Sequence, residues 1–242
     1  MSNRHYRRVV LKLSGEVLGG SSETALEAGL IKGLLGQIKE VVEQGTEIGI
    51  VVGGGNVLRG GQAARHGLGR ISADHIGMLG TVINGVALRD IGAGENLDIR
   101  VMSPFPCANF VEPYTRERAR EHLAKGRVAV FVGGTGNPLL TTDTAAAVRA
   151  AEIDAEALLK GTKVDGVYTA DPVKDPKAEK FERITFRDAM KRELGFMDSS
   201  ALWICSQTNI PVIVFNILEK DGLKKAARGE KIGTVVEEGP HD

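Results

Sequence analysis

The stretch Ile48-Gly49-Ile50-Val51-Val52 opens without a spacer into Gly53-Gly54-Gly55 and then Asn56. That junction limits what the chain can fold into. A short run with no polar side chain suits a strand buried on both faces. Three glycines at its end leave backbone N–H groups open to an anion, with no Cβ in the way. A tight turn is the structural alternative. Three other segments repeat the pattern of strand, small residues and helix: Lys12-Leu13-Ser14-Gly15-Glu16, Gly133-Gly134-Thr135-Gly136-Asn137 and Lys160-Gly161-Thr162-Lys163. Four such loops on one chain would surround a ligand rich in phosphate.

Strands and helices alternate around these loops. Residues 9–13 read as a buried strand, after which Leu30, Leu34, Leu35, Ile38, Val41 and Val42 recur at helical spacing until Gly45 offers a stop. Further strands are expected at 48–52, 99–102, 128–132, 157–159, 212–215 and 233–236. Helices are expected through 76–86, 115–124, from Asp143, through 186–193 and 199–207, and near Leu223. Alternation of this kind needs crossovers, so the fold class is α/β: a three-layer α/β/α sandwich with a largely parallel central sheet. Ligands in such sheets sit beyond the carboxyl ends of the strands. All four glycine-rich loops lie at that end.

Composition excludes several classes. The 242 residues suffice for a large core and a cleft, and Lys plus Arg balances Asp plus Glu at 31 each, so no field of one sign attracts nucleic acid or an anionic membrane. The locally basic stretch 115–121 interleaves its acids and reads as a solvated face. Cys107 and Cys205 are far apart and lack metal-ligand partners at useful spacing, which suits reduced structural thiols. The apolar run after Arg4, Arg7 and Arg8 is soon interrupted by Lys12, so a cytoplasmic chain with no signal peptide or membrane span is expected. Neither the P-loop motif nor the dinucleotide fingerprint occurs, and no Ser, Cys or His stands in a nucleophile-elbow context.

Phosphoryl transfer from ATP to an acceptor that is already a phosphate fits what remains. An ionised phosphate oxygen needs no general base; the difficulty is to hold two polyanions together in line. Lys12, charged at the end of an apolar strand, would be costly to bury without an anion. Snorkelling to the sheet end is its structural alternative.

In this order along the chain, Lys12-Leu13-Ser14-Gly15-Glu16, Gly53-Gly54-Gly55-Asn56 with Arg59-Gly60, Asp74-His75-Ile76-Gly77-Met78-Leu79, Thr135-Gly136-Asn137-Pro138 through Thr141-Thr142-Asp143, and Thr162-Lys163-Val164-Asp165-Gly166-Val167-Tyr168 through Asp171-Pro172 resemble the bacterial-type uridylate kinases of the amino acid kinase superfamily. Five collinear motifs spanning nearly the whole chain make the resemblance specific. It implies ATP-dependent conversion of UMP to UDP in pyrimidine nucleotide synthesis, with Mg2+ carried by ATP and no metal site of the protein's own. It also implies a homohexamer, activated by GTP and inhibited by UTP. The lobe 1–150 would hold UMP and the subunit interface, and 151–242 would hold ATP.

By the same resemblance, Lys12, Leu13, Ser14 and Gly15 form the ATP phosphate loop, with Lys12 bridging the transferred phosphoryl group. Gly55 and Arg59 contact ATP, a surface ion pair being the alternative for Arg59. Gly54 contacts UMP, and Asp74 takes its ribose hydroxyls; the alternative for Asp74 is a helix N-cap. Thr135, Gly136, Asn137, Pro138, Leu139, Leu140, Thr141 and Thr142 form the UMP loop. Asp143 organises the catalytic lysine, with an N-cap as its other reading. Thr162, Tyr168 and Asp171 line the adenosine edge, although Tyr168 also suits a hairpin. Asp198 reads as a cap, and Trp203 as core rather than a base-stacking platform.

Two departures stand out. Leu139-Leu140 replaces the two phenylalanines common in the family, which would alter base packing. The segment Gly20, Ser21, Ser22, Glu23, Thr24 and Ala25, linked in relatives to GTP activation, lacks their Gly-Phe-Gly aromatic. Its ordering would carry a larger entropic cost, which predicts weaker activation.

Overall fold

The computed structural model describes residues 5–19, 25–57, 67–172 and 174–239. Among them, β1 (Arg8–Leu13), β2 (Glu47–Val52), β3 (Ile99–Ser103), β4 (Glu112–Pro113), β5 (Val128–Phe131), β6 (Ala157–Thr162), β7 (Arg183–Thr185), β8 (Val212–Asn216) and β9 (Thr234–Glu237) form one sheet of order β4-β3-β5-β2-β1-β6-β8-β9-β7. Neighbours are parallel except β8 and β9, which are antiparallel. The sheet continues through position 150, because β1 pairs with β2 on one side and β6 on the other.

The helices α1 (Glu16–Gly19), α2 (Ala28–Glu43), α3 (Arg70–Gly94), α4 (Arg116–Ala124), α5 (Thr142–Glu152), α6 (Phe186–Lys191), α7 (Ser199–Gln207) and α8 (Gly222–Ala227) cover both faces. The two-residue period of β1 divides the core. Val9, Leu11 and Leu13 join Leu35 and Ile38 of α2, Leu88 of α3 and Leu223 of α8. Val10 joins Ala146 and Ala150 of α5, Phe186 of α6 and Leu202 of α7 on the opposite side. This is the expected three-layer sandwich. Truncating a fully buried member such as Leu11 to alanine would cost about 2–5 kcal/mol.

Local signals account for several boundaries. After α2, Gly45 adopts φ 91°; its N–H reaches the Val42 carbonyl at 2.9 Å and that of Thr46 reaches Val41 at 3.3 Å. That double reversal closes the helix where a residue with a Cβ would be strained. The four alanines Ala145, Ala146, Ala147 and Ala150 are each at most 1% exposed. Their small side chains let α5 lie close over β1 and β2.

Two alternatives fall away and one reading needs correction. Asp143 is not an N-cap: Thr141 caps α5, accepting the Asp143 N–H at 3.0 Å. Asp74 is not a cap either, because α3 begins at Arg70 behind Gly69 and places Asp74 in its second turn. Trp203 is 58% exposed rather than core; α7 buries Ala201, Leu202 and Cys205, and Trp203 falls outside that face. Asp198 does cap α7, accepting the Ala201 N–H at 2.8 Å.

By length and composition α3 is long and apolar enough to cross a membrane. It lies instead on the sheet: a Cβ on Gly85 would stand 2.8 Å from a Val101 methyl, and Gly92 sits against Ile99. Met78, Val82 and Leu88 are buried, whereas Ile71, Leu79 and Ile83 are 44–52% exposed.

Candidate active site

Strand periodicity puts two ammonium groups side by side. Lys12 continues the Val10 row of β1 and Lys160 the Leu158 row of β6, and the two lysines are Cα partners in the parallel register. Both rows face the layer that contains α5. Asp143, in the first turn of α5, meets them there: Lys12 Nζ is 2.7 Å from Oδ1 and Lys160 Nζ is 2.6 Å from Oδ2. Lys12 is 9% exposed and Lys160 6%. Lys12 is therefore paired beneath the loops rather than snorkelling into water.

The cluster sets its own ionisation. Burial raises the Asp143 pKa, but the charges of Lys12 and Lys160 outweigh it, and the carboxyl stays below its ordinary range. For Lys160 burial dominates and lowers the pKa, with Asp143 opposing and Lys12 assisting the shift. Asp198 stands behind Asp143, taking the Thr144 hydroxyl at 3.0 Å and the Thr141 hydroxyl as well. It thereby ties the starts of α5 and α7 together. Burial pushes the nearby Cys205 thiol up to about 12, and it remains an inert core thiol.

The glycine loops converge beside this cluster. A Cβ on Gly15 would overlap the Asn56 side-chain oxygen and stand 2.7 Å from the Gly53 carbonyl; one on Gly54 would overlap the Gly77 carbonyl of α3. Leu13 buries its side chain and offers the cradle only its backbone, its carbonyl accepting the Gly53 N–H at 2.9 Å. Asn84 is fully buried, donates to the Gly53 carbonyl at 2.6 Å and exchanges hydrogen bonds with Asn56. The Thr81 hydroxyl accepts the Gly133 N–H at 2.6 Å and fixes the other loop to α3.

Between α3 and that loop lies a cavity of about 290 Å³. Of the residues expected at UMP, Gly54, Asp74, Thr135, Asn137, Leu140, Thr141 and Thr142 line it, and Gly55 joins them. Gly136, Pro138 and Leu139 do not. Leu139 adopts φ 70°, an unusual conformation for a side chain of its size. Its N–H donates to Asp74 Oδ2 at 2.9 Å, and that bond, ahead of the Arg70 guanidinium, lowers the Asp74 pKa. Arg70 also lines the cavity, 3.1 Å from both Asp74 oxygens.

The residues expected at adenosine lie apart from this cavity. Thr162 ends β6, two positions after Lys160, and its hydroxyl donates to the Val164 carbonyl at 2.6 Å. Tyr168 pairs with Lys180 in an antiparallel bridge and donates to Asp165 at 2.6 Å, so it is a hairpin residue. Asp171 follows in the same connection, with Lys174 3.7 Å away. Arg59 and residues 20–24 lie outside the described residues. Ala25 is described, and its carbonyl accepts the Asn56 side-chain N–H at 2.6 Å.

Sequence reasoning missed Lys160 and Arg70. The signal for Lys160 was present: it is a second lysine at the end of an apolar strand, in a segment already marked as a phosphate loop. Arg70 gave none, since an arginine before an apolar helix is ordinary.

Similarity to known proteins follows the same outline. The amino acid kinase family model matches residues 7–216. A uridylate kinase of Legionella pneumophila (strain Lens) is 44% identical over 231 residues, covering 96% of this chain and 94% of the relative. The crystal structure of a UMP kinase from Bacillus anthracis superposes with TM-score 0.94 at 36% identity, with 97% of each chain covered. A UMP kinase from Ureaplasma parvum gives TM-score 0.90 at 35% identity, covering 96% of this chain and 99% of that one.

Proposed function

The chain belongs to the amino acid kinase family, and from that premise we propose that it transfers the γ-phosphoryl group of ATP to UMP, yielding UDP and ADP for pyrimidine nucleotide synthesis. One observation carries this reading. Thr142 lines the cavity that contains Asp74, and the next residue, Asp143, holds Lys12, so acceptor site and cationic cluster meet within a single turn of α5.

In the reaction an oxygen of the UMP phosphate forms a bond to the γ-phosphorus while the bond from that phosphorus to the β-bridging oxygen breaks. The acceptor is already ionised, so no residue need remove a proton. Lys12 stabilises charge on the transferred group, and the N–H groups around Gly15 and Gly53 to Gly55 hold the donor phosphates. Asp74, an acceptor at neutral pH, orients the ribose of UMP.

Among the described residues no group of three metal-binding side chains occurs. Asp143 and Asp198 are engaged by lysines and hydroxyls, so the donor set fits a cation carried by the nucleotide rather than a protein cage. That cation, Mg2+ in this reading, supplies charge neutralisation on the ATP phosphates. Thr162, Tyr168 and Asp171 bind adenosine.

The exposed Ile71, Leu79 and Ile83 of α3 support a subunit contact, and the assembly is a homohexamer. GTP activates and UTP inhibits. The path Ala25, Asn56, Asn84, Gly53 supports a link between the 20–25 segment and the phosphate cradle. The protein works in the cytoplasm, with its nucleotide substrates.

A kinase for a carboxylate or carbamate shares the architecture but has no use for Asp74 beside a hydroxyl-lined cavity. A coupled assay for ADP separates the two: release should depend on UMP and not on carboxylate or carbamate acceptors. Release with such an acceptor and none with UMP would overturn the reading.

A further inference from the structure

Lys160 has no part in the transfer described so far, yet it is the more deeply buried lysine of the pair. We propose that it is a positioning residue for phosphoryl transfer: it occupies one oxygen of Asp143, so that this carboxylate is shared between two ammonium groups and Lys12 is only partly neutralised before the phosphoryl group. The proposal rests on the UMP kinase reading.

The geometry makes the case. Lys12 with Asp143 alone would be a neutral ion pair and would present little field to a polyanion. Lys160, opposite Lys12 across β1 and β6 and 2.6 Å from Asp143 Oδ2, sets two cations against the single carboxylate of Asp143. The charged groups facing it are Lys12 from β1, Asp143 from α5 and Asp198 from the start of α7. Asp198 is already engaged by Thr141, Thr144 and the Ala201 N–H.

Folding alone does not account for a lysine here. Leu158 and Leu159 precede it in β6 and are fully buried. A further apolar residue would extend that strand without the cost of desolvating an ammonium group. Removing Lys160 would leave Lys12 paired with Asp143 and Asp198 held by its three hydrogen-bond donors, so no carboxylate loses its last partner. Stability and activity should therefore respond differently.

The test compares wild type, Lys160→Met and Lys160→Arg by kcat and KM for UMP and ATP, with thermal unfolding of each. In Lys160→Met we expect kcat to fall by about 10–100-fold, the UMP KM to stay within roughly threefold, and the melting temperature not to drop. Lys160→Arg, which keeps the charge, should retain more activity than Lys160→Met. An unchanged kcat in Lys160→Met would overturn the proposal. So would a change confined to KM, or equal losses in both variants accompanied by lower melting temperatures. Wild type that forms no UDP would overturn the kinase reading itself, whereas active wild type with an indifferent Lys160→Met overturns only this inference.

Discussion

Asp74 and Leu139, separated by 65 positions, are joined by a 2.9 Å hydrogen bond from the Leu139 N–H to the Asp74 carboxylate. The carboxylate expected to bind ribose thus also anchors the loop that lines the other side of the cavity. Its lowered pKa makes this anchor fully present above the unfolded carboxyl pKa and weaker as pH falls through the folded value.

Asp74→Asn keeps an oxygen for Leu139 but loses the charge that attracts Arg70 and the second ribose acceptor. UMP affinity should fall by about 10–150-fold, in keeping with the roughly 1.5–3 kcal/mol of a charge-assisted hydrogen bond, and ATP affinity should change less. Calorimetric titration with each nucleotide measures the difference; equal losses would mean that Asp74 only anchors the loop.

Lys12→Met removes the ammonium that the proposed mechanism sets against the transferred group. Turnover should fall by about two orders of magnitude or more, with UMP binding retained. Steady-state kinetics alongside UMP titration checks this, and near-normal turnover would remove Lys12 from the reaction.

Gly54→Ala tests the closeness of α3 to the cradle. The added Cβ would overlap the Gly77 carbonyl and lie 3.1 Å from the Thr81 nitrogen, so helix or loop must move. We expect a loss of about 1–3 kcal/mol, the range for overpacking a well-packed site, together with weaker UMP binding. Chemical denaturation gives the first quantity; stability equal to wild type would show that the contact is slack.

Much of this was legible in the chain because burial dictates it. The apolar runs of β1, β2, β5 and β8 lie where the sequence places them, since strands buried on both faces leave little choice of residue. The short edge strands β4 and β7 are set by neighbours, not by periodicity, and gave no signal. At the site, glycine-rich loops were visible as loops, but their convergence was not. That Lys12 and Lys160 lie opposite each other depends on a register between strands far apart in sequence, which no local pattern encodes. A cap stood as the alternative for Asp143 and Asp74 because an acid near a helix start is common, and only the observed starts at Thr142 and Arg70 remove it.

The exposed row on α3 bears on assembly. If Ile71, Leu79 and Ile83 are covered by another subunit, light scattering at micromolar concentration should return a multiple of the chain mass, and Leu79→Arg should reduce it. A single-chain mass for wild type would contradict the hexamer.

The most direct test of the central claim is phosphorus NMR of the purified protein mixed with ATP, UMP and Mg2+. The account predicts that UDP and ADP appear in equal amounts, without free phosphate, and that neither forms at a comparable rate with Lys12→Met. ADP and inorganic phosphate without UDP, or no change in either nucleotide, would contradict it.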